Sequence, residues 1–390
     1  MKYLYMLFML FSVAAVFLAP LDKHELNELS FSFAMGVDHA DDGYEVSLQL
    51  INPAAIAGKS QVPNSPYVVY KATGKTIDTA LERISVNVSR YVHLKQVEVI
   101  LLSEKVAREG KVKDVYDYVM HSAQIPLDAN LVIARDVSAS ELLKIYSPIE
   151  GFSAFEIENI LQKLGRDIPV TATEIKVDEI KEGKDIAMPF IKVEGDLKSG
   201  KEKGNFETTS PAHIAYGGLA LFKEDKLSLF LDYRDAAYVS MLQGGEAGYS
   251  IEASCPKGEN GLFIYRVLGN QAREGKIETF EDKYIFHYNL RLSGDISQIK
   301  CNVNLENPHE IKLLEKQIEK TIQNQVQDLL AVVQENEMDP LGLGLIMKEK
   351  NPEKWKKLKS EWPAPIKNAE IKLNAKIKVQ NIGNFKEGGR

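Results

Sequence analysis

The chain has 390 residues, of which 44% are apolar and 26% charged, so wholesale disorder is excluded and two or three packed domains are expected. A net charge of -7 argues against a nucleic-acid binder, and two cysteines exclude both a disulfide-stapled miniprotein and a multi-cysteine metal protein.

Lys2 is followed by Tyr3–Ala19, YLYMLFMLFSVAAVFLA, without a single charge. As a helix this run would rise about 25 Å, slightly short of a roughly 30 Å hydrocarbon core. Residues 1–19 therefore fit an export signal or an uncleaved membrane anchor; a buried core helix should be amphipathic and capped, and this run is neither. Pro20 disfavours cleavage directly after Ala19. No second apolar run approaches membrane length, so the remainder is expected to be a soluble body.

Asp22 and Glu25 have the spacing of a capping box. Residues 30–37 and 44–51 alternate at period two around an Asp/Gly-rich turn and predict a hairpin, with Phe31, Phe33, Val46, Leu48 and Leu50 as core positions. Residues 52–66 hold three prolines and read as a surface loop. Ile77, Leu81, Ile84 and Val88 draw one helix face behind Thr76 as N-cap. Val97–Leu102 reads as a strand, and Ser103 opens a helix carrying Val106, Val115 and Val119. Asn130–Ala134 is another strand, and Ser138 with Glu141 caps a further helix. From Thr173 to Thr209 the chain turns polar, which predicts a domain boundary. Gly217–Phe222 and Leu227–Leu231 predict a hairpin with a charged turn, followed by strands at 248–254, 261–268 and 284–292. In the last, Phe286, Tyr288, Leu290 and Leu292 share a face. Residues 309–335 form the longest predicted helix, striped by Ile311, Leu314, Ile318, Ile322, Val326, Leu329 and Val333. An alternating segment from Ile371 to Val379 closes the pattern.

The expected fold is thus mixed α/β and α+β: mixed sheets packed by helices in a multi-domain body behind residues 1–19. Residues 20–205 form a mixed α/β region, divisible into two subdomains, and residues 206–390 an α+β domain. No arrangement of catalytic residues emerges. Gly195, Gly200 and Lys201 imitate a phosphate loop, but Glu202 stands where Ser or Thr should hold magnesium. Asp38 and Asp42 imitate part of a calcium loop that Ala40 and Gln49 break. The seven histidines show no metal-ligand spacing, and there is no Gly-x-Ser-x-Gly elbow. Cys255 and Cys301 could pair in an exported protein or stand as two free thiols in neighbouring strands. Six lysines between Lys348 and Lys359 surround Trp355 and approach Trp362; three glutamates dilute them, favouring a solvated helix face over a membrane patch. No catalytic residue, cofactor or metal is expected.

Four stretches carry a family resemblance. Asp22, Glu25 and Leu26 are similar to the acidic start of the mature Ger(x)C proteins, the C subunits of nutrient germinant receptors in endospore-forming bacteria. Residues 72–77 and 93–108, with Gly74 and His93, resemble that family's first block; residues 217–226, with Gly218 and Lys226, resemble its second. Asp339, Gly342 and Gly344, followed by Trp355, Trp362 and a closing strand to Gly383, resemble its Asp-x-x-Gly-x-Gly, Trp and final strand. The resemblance implies a non-enzymatic α/β protein on the outer face of the spore inner membrane, assembled with a membrane A subunit and a transporter-like B subunit and acting in germination. Members usually carry a lipid-bearing cysteine where Pro20 stands here, so an uncleaved run at residues 1–19 would be the anchor instead. The rival readings are an exported solute-binding protein and an exported wall hydrolase.

Overall fold

The computed structural model describes residues 28–51, 65–163, 170–202, 212–245, 248–258, 260–280 and 283–381. Residues 1–19, Pro20, the Asp22–Glu25 box, Leu26, most of the Pro-rich loop and Gly383 lie outside that set. Among the described residues no helix is long and apolar enough to cross a membrane.

The first sheet takes nine strands: β1 (Leu29–Ala40), β2 (Gly43–Ile51), β3 (Tyr67–Gly74), β4 (Tyr91–His93), β5 (Val99–Ser103), β6 (Asn130–Ala134), β7 (Ile186–Gly195), β8 (Ala212–Lys223) and β9 (Lys226–Asp232). Their order is β3-β2-β1-β5-β6-β7-β8-β9, with β4 beside β1. The run β1-β5-β6-β7 is parallel, and antiparallel hairpins flank it on both sides. Parallel neighbours need helical crossovers, which cover both faces. One face buries Met35, Leu48, Ile100, Leu102 and Ile133 under α1 (Ile77–Asn87), α2 (Glu104–Arg108), α3 (Val112–His121) and α6 (Ala172–Glu179). The other buries Val99, Leu101 and Val132 under α4 (Ala139–Leu142) and α5 (Ser153–Gln162). Local chemistry sets the helix starts: Thr76 and Thr79 form a reciprocal cap, Thr171 and Glu174 another, and Ser138 Oγ accepts from the Glu141 N–H.

Three elements differ from the sequence expectation. The helix expected from Ser103 is two, because Gly110 turns the chain at φ 77° between α2 and α3. Strand β7 sits inside the stretch read as polar; its IAMPF half is buried between β6 and β8, and only its last residues carry the charges. A register shift in β1 between Ser32 and Ala34 reverses which side chains face which layer. Phe33 consequently packs beside Phe152 and Phe155, at ring separations of 5.9 and 4.6 Å, while Met35 and Val37 face the opposite core. Neither Phe31 nor Phe33 is fully buried, whereas Val46, Leu48 and Leu50 are. The division expected at 205/206 falls between β7 and β8, which pair in one sheet, so that sheet continues to Asp232.

The second sheet has the order β10 (Ser250–Ser254), β11 (Leu262–Phe280), β12 (Lys283–Ile299), β13 (Ala369–Asn381). Its first three strands are antiparallel, and β13 runs parallel to β12. The crossover between β12 and β13 holds α9 (Pro308–Glu335), α10 (Leu343–Lys350) and α11 (Pro352–Leu358). The α9 stripe Leu314, Ile318, Ile322, Val326, Leu329 and Val333 is buried against Phe286, Tyr288, Leu290 and Ile371. Leu219, Leu221 and Leu231 of the first sheet join this core, together with Ala236 and Val239 of α8 (Tyr233–Leu242).

Beside its apolar stripe, α9 carries a row of amides and acids that reaches the backbone of β13. Gln327 Nε2 donates to the Ile371 carbonyl at 2.7 Å and Gln334 Nε2 to that of Ala369 at 2.7 Å. The Leu373 N–H donates to Gln323 Oε1 at 3.3 Å and the Val379 N–H to Glu315 Oε1 at 3.1 Å. The helix thus occupies the open edge of β13, where unpaired strand groups would otherwise recruit another chain. Gln327→Ala is expected to cost about 1 kcal/mol in urea unfolding. Lys320→Ala, on the exposed side of the same helix, should change little; equal losses would mean that the amide contact carries nothing.

Candidate functional site

The residues of the Asp-x-x-Gly-x-Gly stretch converge on the seam between the two sheets. Asp339, between α9 and α10, is 1% exposed. Its Oδ1 accepts from the Leu343 N–H at 2.9 Å. Its Oδ2 accepts from the Gly344 N–H at 2.8 Å and from Trp362 Nε1–H at 3.0 Å. Leu343 and Gly344 open α10, where the first N–H groups have no partner within the helix and attract negative charge. Gly342, the N-cap, lies at φ 72° and brings no side chain to satisfy them. Asp339 caps the helix in its place.

The partner in this seam is the turn leading into β7. The Asp339 N–H donates to Asp185 Oδ2 at 2.6 Å, and the Asp185 N–H returns a bond to the Asp339 carbonyl at 2.9 Å, across 154 positions of sequence. The Leu345 N–H donates to the Gly183 carbonyl at 3.0 Å. Backbone meets backbone so closely here that side chains do not fit. A Cβ on Gly344 would lie 2.6 Å from Gly183 Cα, and one on Gly183 would lie 2.7 Å from the Gly344 carbonyl carbon. Trp355 and Trp362 close the seam edge to face, 5.4 Å apart.

Burial pushes the Asp339 carboxyl up to about 7 against the pull of its three donors, and the neighbouring Asp185 carboxylate adds to the rise. Burial raises Asp185 as well. Two perturbed carboxyls side by side are the pattern of an acid–base site. Asp339, however, is enclosed, and both its oxygens are already engaged by the chain itself. The arrangement fastens the crossover helices to β7; it presents no reacting position.

The remaining motif residues stand apart from that seam. Gly74 ends β3 against the first turn of α1, where a Cβ would meet the Ala80 nitrogen at 2.5 Å. His93 packs edge-on against Phe31 at 5.4 Å. Gly218 lies in β8 at the register shift opposite Phe190, and Lys226 opens β9 beside Gly110. Cys255 and Cys301 are joined as a disulfide behind β10 and β12. Gly183 and Asp185 escape the sequence reading because nothing in a polar Gly-Lys-Asp turn marks it as half of a buried joint.

Other candidates resolve into structure. The phosphate-loop imitation is a four-residue helix, α7 (Leu197–Gly200), with Lys201 paired to Glu141 at 2.5 Å. Asp38 accepts from the Ala139 and Ser140 N–H groups, at 2.8 Å each, at the start of α4. Among the described residues no group of three or more His, Cys, Asp or Glu could hold a metal ion. The lysines of 348–359 are largely engaged: Lys348 and Lys359 face Glu182, Lys356 faces Glu353, and Lys354 lies over the Tyr284 ring. A cavity of about 710 Å³ opens between α8, β10 and α9, walled by Tyr216, Tyr233, Tyr238 and Tyr249 with Arg234 and Glu252. No His or Cys is among its described lining residues.

Comparison with known proteins agrees across nearly the whole length. Residues 22–193 match the family model described as "Spore germination protein N-terminal domain", and residues 217–383 match "Spore germination B3/ GerAC like, C-terminal". Spore germination protein KC of Bacillus subtilis (strain 168) is 25% identical over 93% of this chain and 91% of its own. Spore germination protein B3 of the same organism is 23% identical over 98% of each chain. Spore germination protein GerQC of Bacillus cereus is 23% identical over 81% of this chain and 82% of its own. The crystal structure of the GerBC protein superposes with a TM-score of 0.57 at 20% identity, over 92% of this chain and 100% of that one, which shows a shared fold.

Proposed function

From the premise that this chain belongs to the GerAC-like, or Ger(x)C, family of spore germination proteins, we propose that it is the C subunit of a nutrient germinant receptor. It acts without catalysis, by assembling with a membrane A subunit and a transporter-like B subunit at the outer face of the spore inner membrane. With Pro20 where relatives of this family carry a lipid-bearing cysteine, residues 1–19 serve as its anchor. The observation that carries this reading is that two consecutive family models match residues 22–193 and 217–383. The buried Asp339 carboxyl supports it, since the most distinctive motif of the sequence is committed to holding the fold and both its carboxyl oxygens are taken by the chain itself.

The test is an in-frame deletion followed by germination of purified spores in single nutrients. Loss of response to at least one nutrient, restored by complementation, is expected. Normal germination in all of them, with paralogues also removed, would end the proposal. The tyrosine-walled cavity favours the solute-binding alternative. A saturable rise in melting temperature with an amino acid or sugar, in the absence of other subunits, would carry that reading.

A further inference from the structure

Strand alternation gives the second sheet two different faces. On β12, Phe286, Tyr288, Leu290 and Leu292 point to α9, and His287, Asn289 and Arg291 point away. On β13, Ile371 and Ile377 point to α9, and Lys372, Asn374, Lys376 and Lys378 point away. The register sets Arg291 directly beside Lys376. Like charges placed opposite one another on neighbouring strands destabilise a sheet. Neither residue has an ion pair among the described residues, nor do Lys378 and Arg266, and all four are exposed.

The acids of this face stand at its borders. At one end Glu278 is engaged by Lys276 and His287, and Glu370 by Lys283 and Lys372. At the other, Asp295 accepts from the Asn381 N–H at 3.0 Å and stands in register with Arg266. The centre is left to cations, in a chain whose net charge is -7. Leu268 and Phe280, 49% and 59% exposed, add apolar contacts along the same hairpin.

We propose that this outer face of the second sheet rests against an anionic lipid layer. The inference depends on the membrane placement proposed above and adds the face that meets the membrane. A planar partner fits because the side chains stand on a sheet and line no groove. Lys372, Lys376 and Lys378 stand at alternate positions of β13 as compact, hydrated charges suited to a diffuse headgroup layer. The net negative charge of the chain as a whole leaves this cationic face to decide how the body turns toward the bilayer.

The test uses the full chain with Asn374→Cys carrying a fluorophore, the native cysteines being held in their disulfide. It is mixed with phosphatidylcholine vesicles, with or without phosphatidylglycerol, that contain a headgroup-nitroxide lipid as quencher. The apolar run 3–19 is present in both arms, so its contribution cancels. Quenching is expected to be several-fold stronger in the anionic vesicles and to disappear in about 1 M salt, where the screening length falls to about 3 Å. Arg291→Glu with Lys376→Glu should abolish the difference at an unchanged melting temperature. If that variant misfolds, Lys372→Gln with Lys378→Gln provides the same comparison. Equal quenching in both vesicles, no quenching, or quenching only in membranes that contain the other receptor subunits would overturn the proposal; the last outcome would assign the face to an acidic protein. Normal germination of the deletion strain would remove the receptor reading and leave this measurement standing, so the two failures are distinguishable.

Discussion

Asp339→Ala is expected to lower stability by roughly 3–5 kcal/mol, because it strands three buried donors, each costing about 1–3 kcal/mol when unsatisfied. Those donors are the Leu343 and Gly344 N–H groups and the Trp362 indole. Asp339→Asn keeps the volume but turns one NH₂ group toward a donor, and should cost less, about 1–3 kcal/mol. The pH dependence separates a carboxyl effect from a packing effect. The folded carboxyl holds its proton up to about 7, against an ordinary value of 3.8. Between those limits the folded chain binds more protons than the unfolded one, so this group's contribution is fully present at low pH and is lost as pH rises through 7. Subtracting the stability curve of the Asp339→Asn variant from the parent's should therefore leave a slope that falls from about pH 4 to pH 7. Urea melts across that range measure it. A flat difference, or a cost below about 1 kcal/mol for the alanine variant, would mean that the seam is held by the tryptophans and glycines alone.

That seam also marks where sequence stops being informative. The hairpin β1–β2, helix α1, strand β6 and helix α9 are legible because each carries a complete local signal: a period, a cap and a terminating turn. The 28-residue α9 is the clearest, since its apolar stripe recurs over about six turns and Asn307 with Pro308 marks its start. What fails is whatever depends on a distant neighbour. Strand β7 is hidden because its apolar half, Ile186–Ile191, is short and its flanks are charged; the strands on either side make it a strand. Phe33 packs in the opposite layer from Met35 and Val37 because a bulge, set by how β1 meets β2, changes the parity within four residues. The glutamine row of α9 reads as generic helix polarity, yet its one-turn spacing at Gln323 and Gln327 is the signal that a strand edge lies alongside.

The motif residues divide in the same way. Asp339, Gly342 and Gly344 can be picked out from their resemblance to a family pattern, but the pattern does not say what they do. Two residues absent from it supply the meaning: Gly183 admits Gly344, and Asp185 receives the Asp339 N–H. A motif confined to one segment shows one side of a joint. The other side, having no helix period and no strand alternation, is only a turn until the chain is folded.

Removing the Cys255–Cys301 disulfide is the second change expected to matter on the scale of the whole stability. The bond closes a span of 46 residues that contains all of β11 and β12, including the apolar strand faces packed on α9. In the chain-entropy account, cross-linking a loop of that length removes denatured-state freedom worth about 4 kcal/mol. The folded chain already draws the two ends together without it. The Cys255 N–H donates to the Gly261 carbonyl at 3.1 Å, and the Lys300 N–H donates to that of Leu262 at 2.9 Å. The bond therefore acts mostly on the unfolded ensemble, and Cys255→Ala with Cys301→Ala should cost roughly 3–4 kcal/mol while leaving the native fold intact. Either single replacement should cost nearly as much, and a reductant should reproduce the loss in the parent but not in the double variant. A loss below about 1 kcal/mol would show that the β10–β11–β12 ladder holds the ends in both states. The same measurement bears on location. Disulfides form and persist in oxidising compartments, so protein retained in a reducing cytosol should melt at the lower temperature and recover on oxidation.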